Sequence, residues 1–318
     1  MGQLSLEQTF LIAPYVEGIV YGIFAAIFAA TMYIHFSKVI NGTQRFDRHS
    51  NVMIGISSMM FFIATLHLTI NAYRMVAGYV DHALLQGGAV AYMGDLRSWH
   101  YILKDTLYAT QENLGSAAAI YRCWVLWGHN WKIILFPSVL LIVNIVAGYM
   151  VCGLYGTVSP TNNIFDPRLT TWIKIFFPLT VALNVITTSL MSYRIWCTHR
   201  QTSLYTSGSS QLISVMRILV ESAALQLVVE IILLVLYSSD VNAQYIVLES
   251  IASIVGITFN ALTIRIKLHS ISTAGSGHSM SFDGATQTIG RLPMRRIQVN
   301  ISRDVEETED NISTLSSK

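Results

Sequence analysis

The chain has 318 residues, of which 53% are hydrophobic and only 12% charged, with a net charge of +2 and a mean hydropathy of +0.49. A soluble domain carries about 25% charged residues, so a solvated enzyme, a nucleic-acid binder and a disordered protein are all excluded as poor fits. Cys123, Cys152 and Cys197 fit neither a disulfide framework nor a zinc pattern, and are read as plain thiols.

A bilayer core of about 30 Å needs roughly 20 apolar residues in helical form. Seven stretches meet that length, at about Val16–Phe36, Val52–Ala72, Thr106–Trp127, Ile133–Leu154, Trp172–Tyr193, Leu212–Tyr237 and Tyr245–Ile266. They are continuous rather than alternating, which indicates helices and not barrel strands. The expected class is therefore all-α, a polytopic seven-helix transmembrane bundle over residues 16–268. Residues 1–15 precede it as an outer N-terminus. The first span is not read as a signal peptide, because no Lys or Arg precedes it. Tyr73–Lys104 forms a long outer segment, expected to be a lid or a short interfacial helix. Pro137 falls in the first turn of span four, and Pro178 is expected to kink span five. Residues 269–318, Ser/Thr-rich with a basic then an acidic run, read as a disordered cytosolic tail.

Loop charges set the orientation. With the N-terminus outside, ten basic residues, including Lys38, Arg45, Arg122, Arg194 and Lys267, fall on the cytosolic side, against five outside. The five are Arg74, Arg97, Lys104, Arg168 and Lys174. Seven spans then leave the C-terminus in the cytosol. Three sequons, at Asn41, Asn300 and Asn311, fall on the cytosolic side and are expected to be unused.

Spans three and five end alike, in Tyr121-Arg122-Cys123-Trp124 and Tyr193-Arg194-Ile195-Trp196. Tyr and Trp suit the headgroup layer and Arg snorkels to phosphates, so these six polar and aromatic side chains read as cytosolic-face anchors. Tyr121, Arg122, Trp124, Tyr193, Arg194 and Trp196 would also carry coupling to a cytosolic signalling partner. The run Gln111-Glu112-Asn113-Leu114-Gly115-Ser116, followed by Ile120-Tyr121-Arg122-Cys123-Trp124-Val125-Leu126-Trp127, resembles a large family of seven-span proteins of basidiomycete fungi. The resemblance covers roughly residues 15–270 and implies topology and a membrane location, without an activity. Many members carry an acid after the glycine of span three, where this chain has Ser116. A retinal protein is excluded because Lys267 lies at the very end of span seven. Family A receptors are excluded because span seven reads Asn260-Ala261-Leu262-Thr263-Ile264 and no cysteine tops span three.

Ionisable residues within spans usually face the bundle interior. At 100° per residue, Glu249, Ser253, Gly256, Asn260, Thr263 and Lys267 share an arc of about 80°. Asp105, Glu112, Ser116, Ala119 and Cys123 form a similar stripe on span three. On span six, Arg217 and Glu221 are expected to neutralise each other. Counting the helical rise places Glu112, Glu230 and Glu249 about 10, 11 and 8 Å below the outer end of their spans. These three acids are expected to line one outward-opening ligand cavity, with His67, Asn71 and Glu17 at its rim and Asn260 deeper on the span-seven stripe. No metal site, cofactor or hydrolytic constellation is expected, and no enzymatic activity.

The composite expectation is a receptor-like sensor of a small ligand. A plasma membrane is favoured over an endomembrane, and lipid is the principal partner, with no nucleic acid. Alternatives are a proton- or cation-coupled transporter or channel, and a non-catalytic membrane scaffold.

Overall fold

The computed structural model describes residues 4–40, 48–84, 88–157, 167–202 and 210–275. Among them there are helices and no strands. In chain order these are α1 (Leu6–Ile40), α2 (Arg48–Val76), α3 (Gly88–Gly94), α4 (Trp99–Leu126), α5 (Trp131–Leu154), α6 (Pro167–Thr202), α7 (Ser210–Ser238) and α8 (Gln244–Gly275). A π-turn at Ala77–Asp81 prolongs α2, and a 3-10 turn at Tyr155–Thr157 prolongs α5. All but α3 have between 24 and 36 residues, about 36–54 Å of helix, enough to cross a bilayer core.

Six of the seven stretches picked from hydropathy lie inside one of the long helices, and the seventh, Thr106–Trp127, runs one residue past the end of α4. Among the described residues, six helices are long and apolar enough to cross a membrane. The exception is α4, which carries Lys104, Asp105, Glu112 and Arg122. Its polarity follows from its position. The long helices close a ring in the order α1, α2, α4, α5, α6, α7, α8, and α4 also touches α6 and α8 across the interior. A helix lined by other helices does not need a fully apolar surface.

The other interior helix is α8, with 72% of an 18-residue stretch inside Gln244–Arg265 buried, against 17–33% for the corresponding stretches of the other five apolar helices. The expected α8 stripe holds, since Glu249, Ser253, Asn260 and Thr263 are all buried. Conversely, α5 turns Leu135, Phe136, Val139, Ile142 and Val146 outward, and α7 turns out Leu225, Val228, Ile232 and Val235. Apolar outside and charged inside is the distribution a lipid solvent selects.

Two tight reversals are built the same way. At the end of α4, His129 N–H donates to Trp124 O at 3.0 Å and Gly128 N–H to Val125 O at 3.1 Å. At the end of α7, Val241 N–H donates to Leu236 O and Asp240 N–H to Tyr237 O, at 3.1 and 3.2 Å. Both are Schellman closures, with Gly128 (φ 63) and Asp240 (φ 52) in the left-handed region.

Some boundaries differ from the expectation. The N-terminal segment is helical from Leu6 and is pinned by Tyr79 Oη–H to Glu7 O (2.9 Å) and Asn242 Nδ2–H to Leu4 O (3.0 Å). The segment Tyr73–Lys104 consists of the end of α2, its π-turn, α3 and the first turns of α4, so a short helix does form there. Residues 269–275, expected in the tail, continue α8 instead. The rest of the tail and the sequons at Asn41, Asn300 and Asn311 lie outside the described residues, as do the side chains of Lys38, Arg45 and Lys267. Helix α6 continues through Pro178. Glu221 pairs with Arg265 of α8 at 3.0 Å, and not with Arg217. The pairing i, i+4 along one helix loses here to a partner on the neighbouring helix.

Candidate functional site

The buried polar residues fall into distinct layers. The first lies where α4 and α8 begin. Lys104, 2% exposed, forms an ion pair with Glu249 Oε1. Asn71 of α2 spends its two amide hydrogens on Glu249 Oε2 (2.5 Å) and Glu17 Oε2 of α1 (2.6 Å). His67 closes the ring, with Nδ1 2.6 Å from Glu17 Oε1 and Nε2 3.6 Å from Glu249 Oε2. Asp105 lies 3.5 Å from Lys104 and accepts from Tyr155 Oη–H at 2.6 Å. Arg74, also 2% exposed, donates to Met93 O at 2.6 Å. Arg74 and Lys104 both lie over the Tyr101 ring, at 4.7 Å each. Three carboxylates (Glu17, Asp105, Glu249) thus share the layer with Lys104, Arg74 and His67, and Lys104 is the cation that lies within reach of two of them.

Glu17, His67 and Glu249 place one ligand atom each within 4.8 Å of the others, a spacing a divalent ion accepts. Their oxygens, however, already face N–H donors from Lys104, Asn71 and His67. The donor set is that of an ion-pair network more than of a metal centre.

The second layer lies deeper. Glu230 Oε1 accepts from Asn184 Nδ2–H (2.5 Å) and Gln226 Nε2–H (2.8 Å), and Gln226 Oε1 in turn accepts from Thr258 Oγ1–H at 3.1 Å. Glu112 is 1% exposed, and neither of its oxygens has a hydrogen-bond partner. Glu230 Oε2 and Ser116 Oγ are likewise unpartnered. The charge neighbour of Glu112 is Glu230.

The expectation of one cavity lined by three acids is therefore corrected. Glu112 and Glu230 come together, whereas Glu249 turns to α1, α2 and Lys104. Similar depth along three helix axes says nothing about the direction in which each carboxylate points. Nor is there an open outer mouth at Glu249 among the described residues. The space beside it is about 10 Å³, walled by Phe10, Met93, Tyr101 and Tyr245. Asn260, 0% exposed, also stands apart from the acids. It accepts from Ser57 Oγ–H at 2.6 Å and donates to Gly256 O at 2.9 Å, so it ties α2 to α8.

Two larger cavities flank the second layer. One, of about 60 Å³, is lined by Gly115, Arg122, Asn184, Ser222, Gln226 and Thr258 among others. The other, of about 40 Å³, is lined by residues including Asp105, Tyr108, Cys152, Phe176 and Leu233. Each has room for water next to polar groups.

The two matching helix ends turn out to be unlike. Arg122 turns inward, donating to Phe259 O (3.1 Å) and Thr263 Oγ1 (2.8 Å) of α8, with its guanidinium 4.1 Å from the Phe259 ring centroid. Tyr121 stacks on His49 of α2, its hydroxyl 3.3 Å from Nδ1, and Trp124 packs against His129 and Trp131. On α6, Tyr193 and Trp196 stay about half exposed, as anchors should. Arg194 reaches Leu126 O at 3.5 Å and lies over Trp127. An inward Arg122 corrects the snorkelling expected of it, because the polar α8 stripe offers acceptors closer than the headgroups.

Sequence reasoning placed Glu17 and Asn71 near the site but missed Lys104 and Arg74, counting both as outer-loop charges. The available signal was the adjacent Asp105, already on the inward stripe of α4. In comparisons with known proteins, no family model, curated protein or solved structure matches the chain. The class that fold and site define is an all-helical bundle of membrane-spanning character, built around two interior helices joined by buried charge.

Proposed function

We propose that the chain is a seven-span integral membrane protein with its N-terminus outside, acting as a receptor-like sensor. The single observation behind this reading is that α4 is fastened to α8 at both ends. Lys104 meets Glu249 at one end, and Arg122 meets Phe259 and Thr263 at the other. A small cationic or hydrogen-bonding ligand that competes for Glu249 would loosen the first fastening. A shift of α4 against α8 would then reach Arg122 and the cytosolic partner beyond it. The likeness to the basidiomycete seven-span family, carried by Tyr121-Arg122-Cys123-Trp124, supports counting α4 as a span, the third in chain order, beside the six more apolar helices, and a plasma-membrane location fits an outward sensor.

The test uses spin labels near the C-terminal ends of α4 and α6 in the reconstituted full chain. Lys104→Met is expected to change their separation, and Arg122→Leu to change it in the same sense. A separation unmoved by Lys104→Met would remove the sensor reading. Protease protection of an end tag in sealed membranes checks the orientation, with a protected C-terminus expected in intact cells.

A second reading, a proton- or cation-coupled transporter, is favoured by Glu112 and Glu230, two deeply buried carboxyls without an ion-pair partner among the described residues.

A further inference from the structure

Glu112 and Glu230 occupy a particular place between the two cavities. Along α4, Tyr108 lines one cavity and Gly115 the other, with Glu112 between them. Along α7, Leu233 lines the first and Gln226 the second, with Glu230 between them. Neither acid lines a cavity itself, but along both helices the pair falls between the two spaces, about one helical turn from lining residues of each.

The hydrogen bonding distinguishes the partners. Glu230 Oε1 accepts from two amides, Asn184 and Gln226, which suits a carboxylate. Glu112 receives no donor on either oxygen, which suits a neutral acid. Two carboxylates that feel each other's charge within a low-dielectric interior resist ionising together without a cation, and no ion pair reaches either of them among the described residues. From α4, Tyr108 faces the pair, with Asp105 one turn further. From α6 and α8 the neighbours are the neutral Asn184 and Thr258. Arg122 lies at the far end of the larger cavity, held by α8.

We infer that Glu112 and Glu230 hold one exchangeable proton between two interior cavities and form a proton-transfer step through the bundle. Hydronium in one cavity gives its proton to the pair and becomes water, and the acid–carboxylate pair becomes two acids. The pair then returns one proton to water in the other cavity and regains its negative charge. The proton site stands on its own geometry. Only the transfer step rests on the transport reading above.

Infrared difference spectroscopy of the full chain in lipid nanodiscs tests the site. The wild type should retain a protonated-carboxyl C=O band at neutral pH that shifts in D2O. Glu112→Gln should lose it, and Glu112→Asp, which keeps the acid, should retain it. A wild type without the band, or a band indifferent to Glu112→Gln, overturns the site. Proteoliposomes with an internal pH dye and an imposed potassium diffusion potential test transfer. Wild type and Glu221→Gln, at the exposed pair with Arg265, should acidify, and Glu112→Gln and Glu230→Gln should not. Wild-type vesicles without acidification overturn the transfer step while leaving the infrared result to decide the site.

Discussion

Gly256 of α8 lies against the ring of Phe24 of α1 so closely that a β-carbon there would come within 2.8 Å of three ring carbons. Phe24 is itself completely buried, so the ring has nowhere to retreat. The helix pair that closes the bundle therefore depends on a missing side chain. Gly256→Ala should destabilise the protein by about 1–3 kcal/mol, the usual cost of overpacking. Thermal unfolding of the purified chain in detergent measures this. Gly18→Ala, with nothing within 4 Å of the new methyl, should not lower the midpoint.

Breaking the Lys104–Glu249 pair leaves one buried charge with incomplete compensation. Lys104→Met should cost about 3–5 kcal/mol. Because the two residues share one network, Lys104→Met with Glu249→Gln should cost less than the sum of the singles, by about 0.5–3 kcal/mol. A double-mutant cycle on unfolding free energies gives the coupling, and strict additivity would contradict the network.

The twin helix ends should respond differently to truncation. Arg122→Leu removes two charge-assisted hydrogen bonds and a ring contact, and is expected to cost about 1.5–3 kcal/mol. Arg194→Leu gives up one bond of 3.5 Å and should cost well under half as much. The same unfolding assay compares them.

Thiol accessibility offers a check that needs no mutation. Cys123 and Cys152 are buried and Cys197 is partly exposed. Maleimide should label Cys197 in the folded protein and the other two only after denaturation. In whole cells, the proposed orientation puts the C-terminal end of α6 in the cytosol, so an impermeant maleimide should reach Cys197 only after permeabilisation.

The α8 stripe was legible in the sequence because few polar residues at helical spacing stand out on an otherwise apolar helix. Glu249, Ser253, Asn260 and Thr263 needed only that periodicity. Lys104 was not legible. A charge at the edge of an apolar run looks like the start of a loop, and its partner Glu249 is 145 positions away. The separation of Glu249 from Glu112 and Glu230 was equally hidden, because a count of residues gives depth and not direction. Arg122 failed for a related reason, as local pattern registers the headgroup layer but not an acceptor on another helix.

The helix most enclosed by its neighbours is the last of them to leave the ribosome. Until α8 arrives, α1, α2, α4 and α7 enclose a vacant slot. Lys104 then lacks Glu249, Arg122 lacks Phe259 and Thr263, and Phe24 lacks the flat face of Gly256. A chain interrupted before residue 244 would leave Lys104 and Arg122 without these partners.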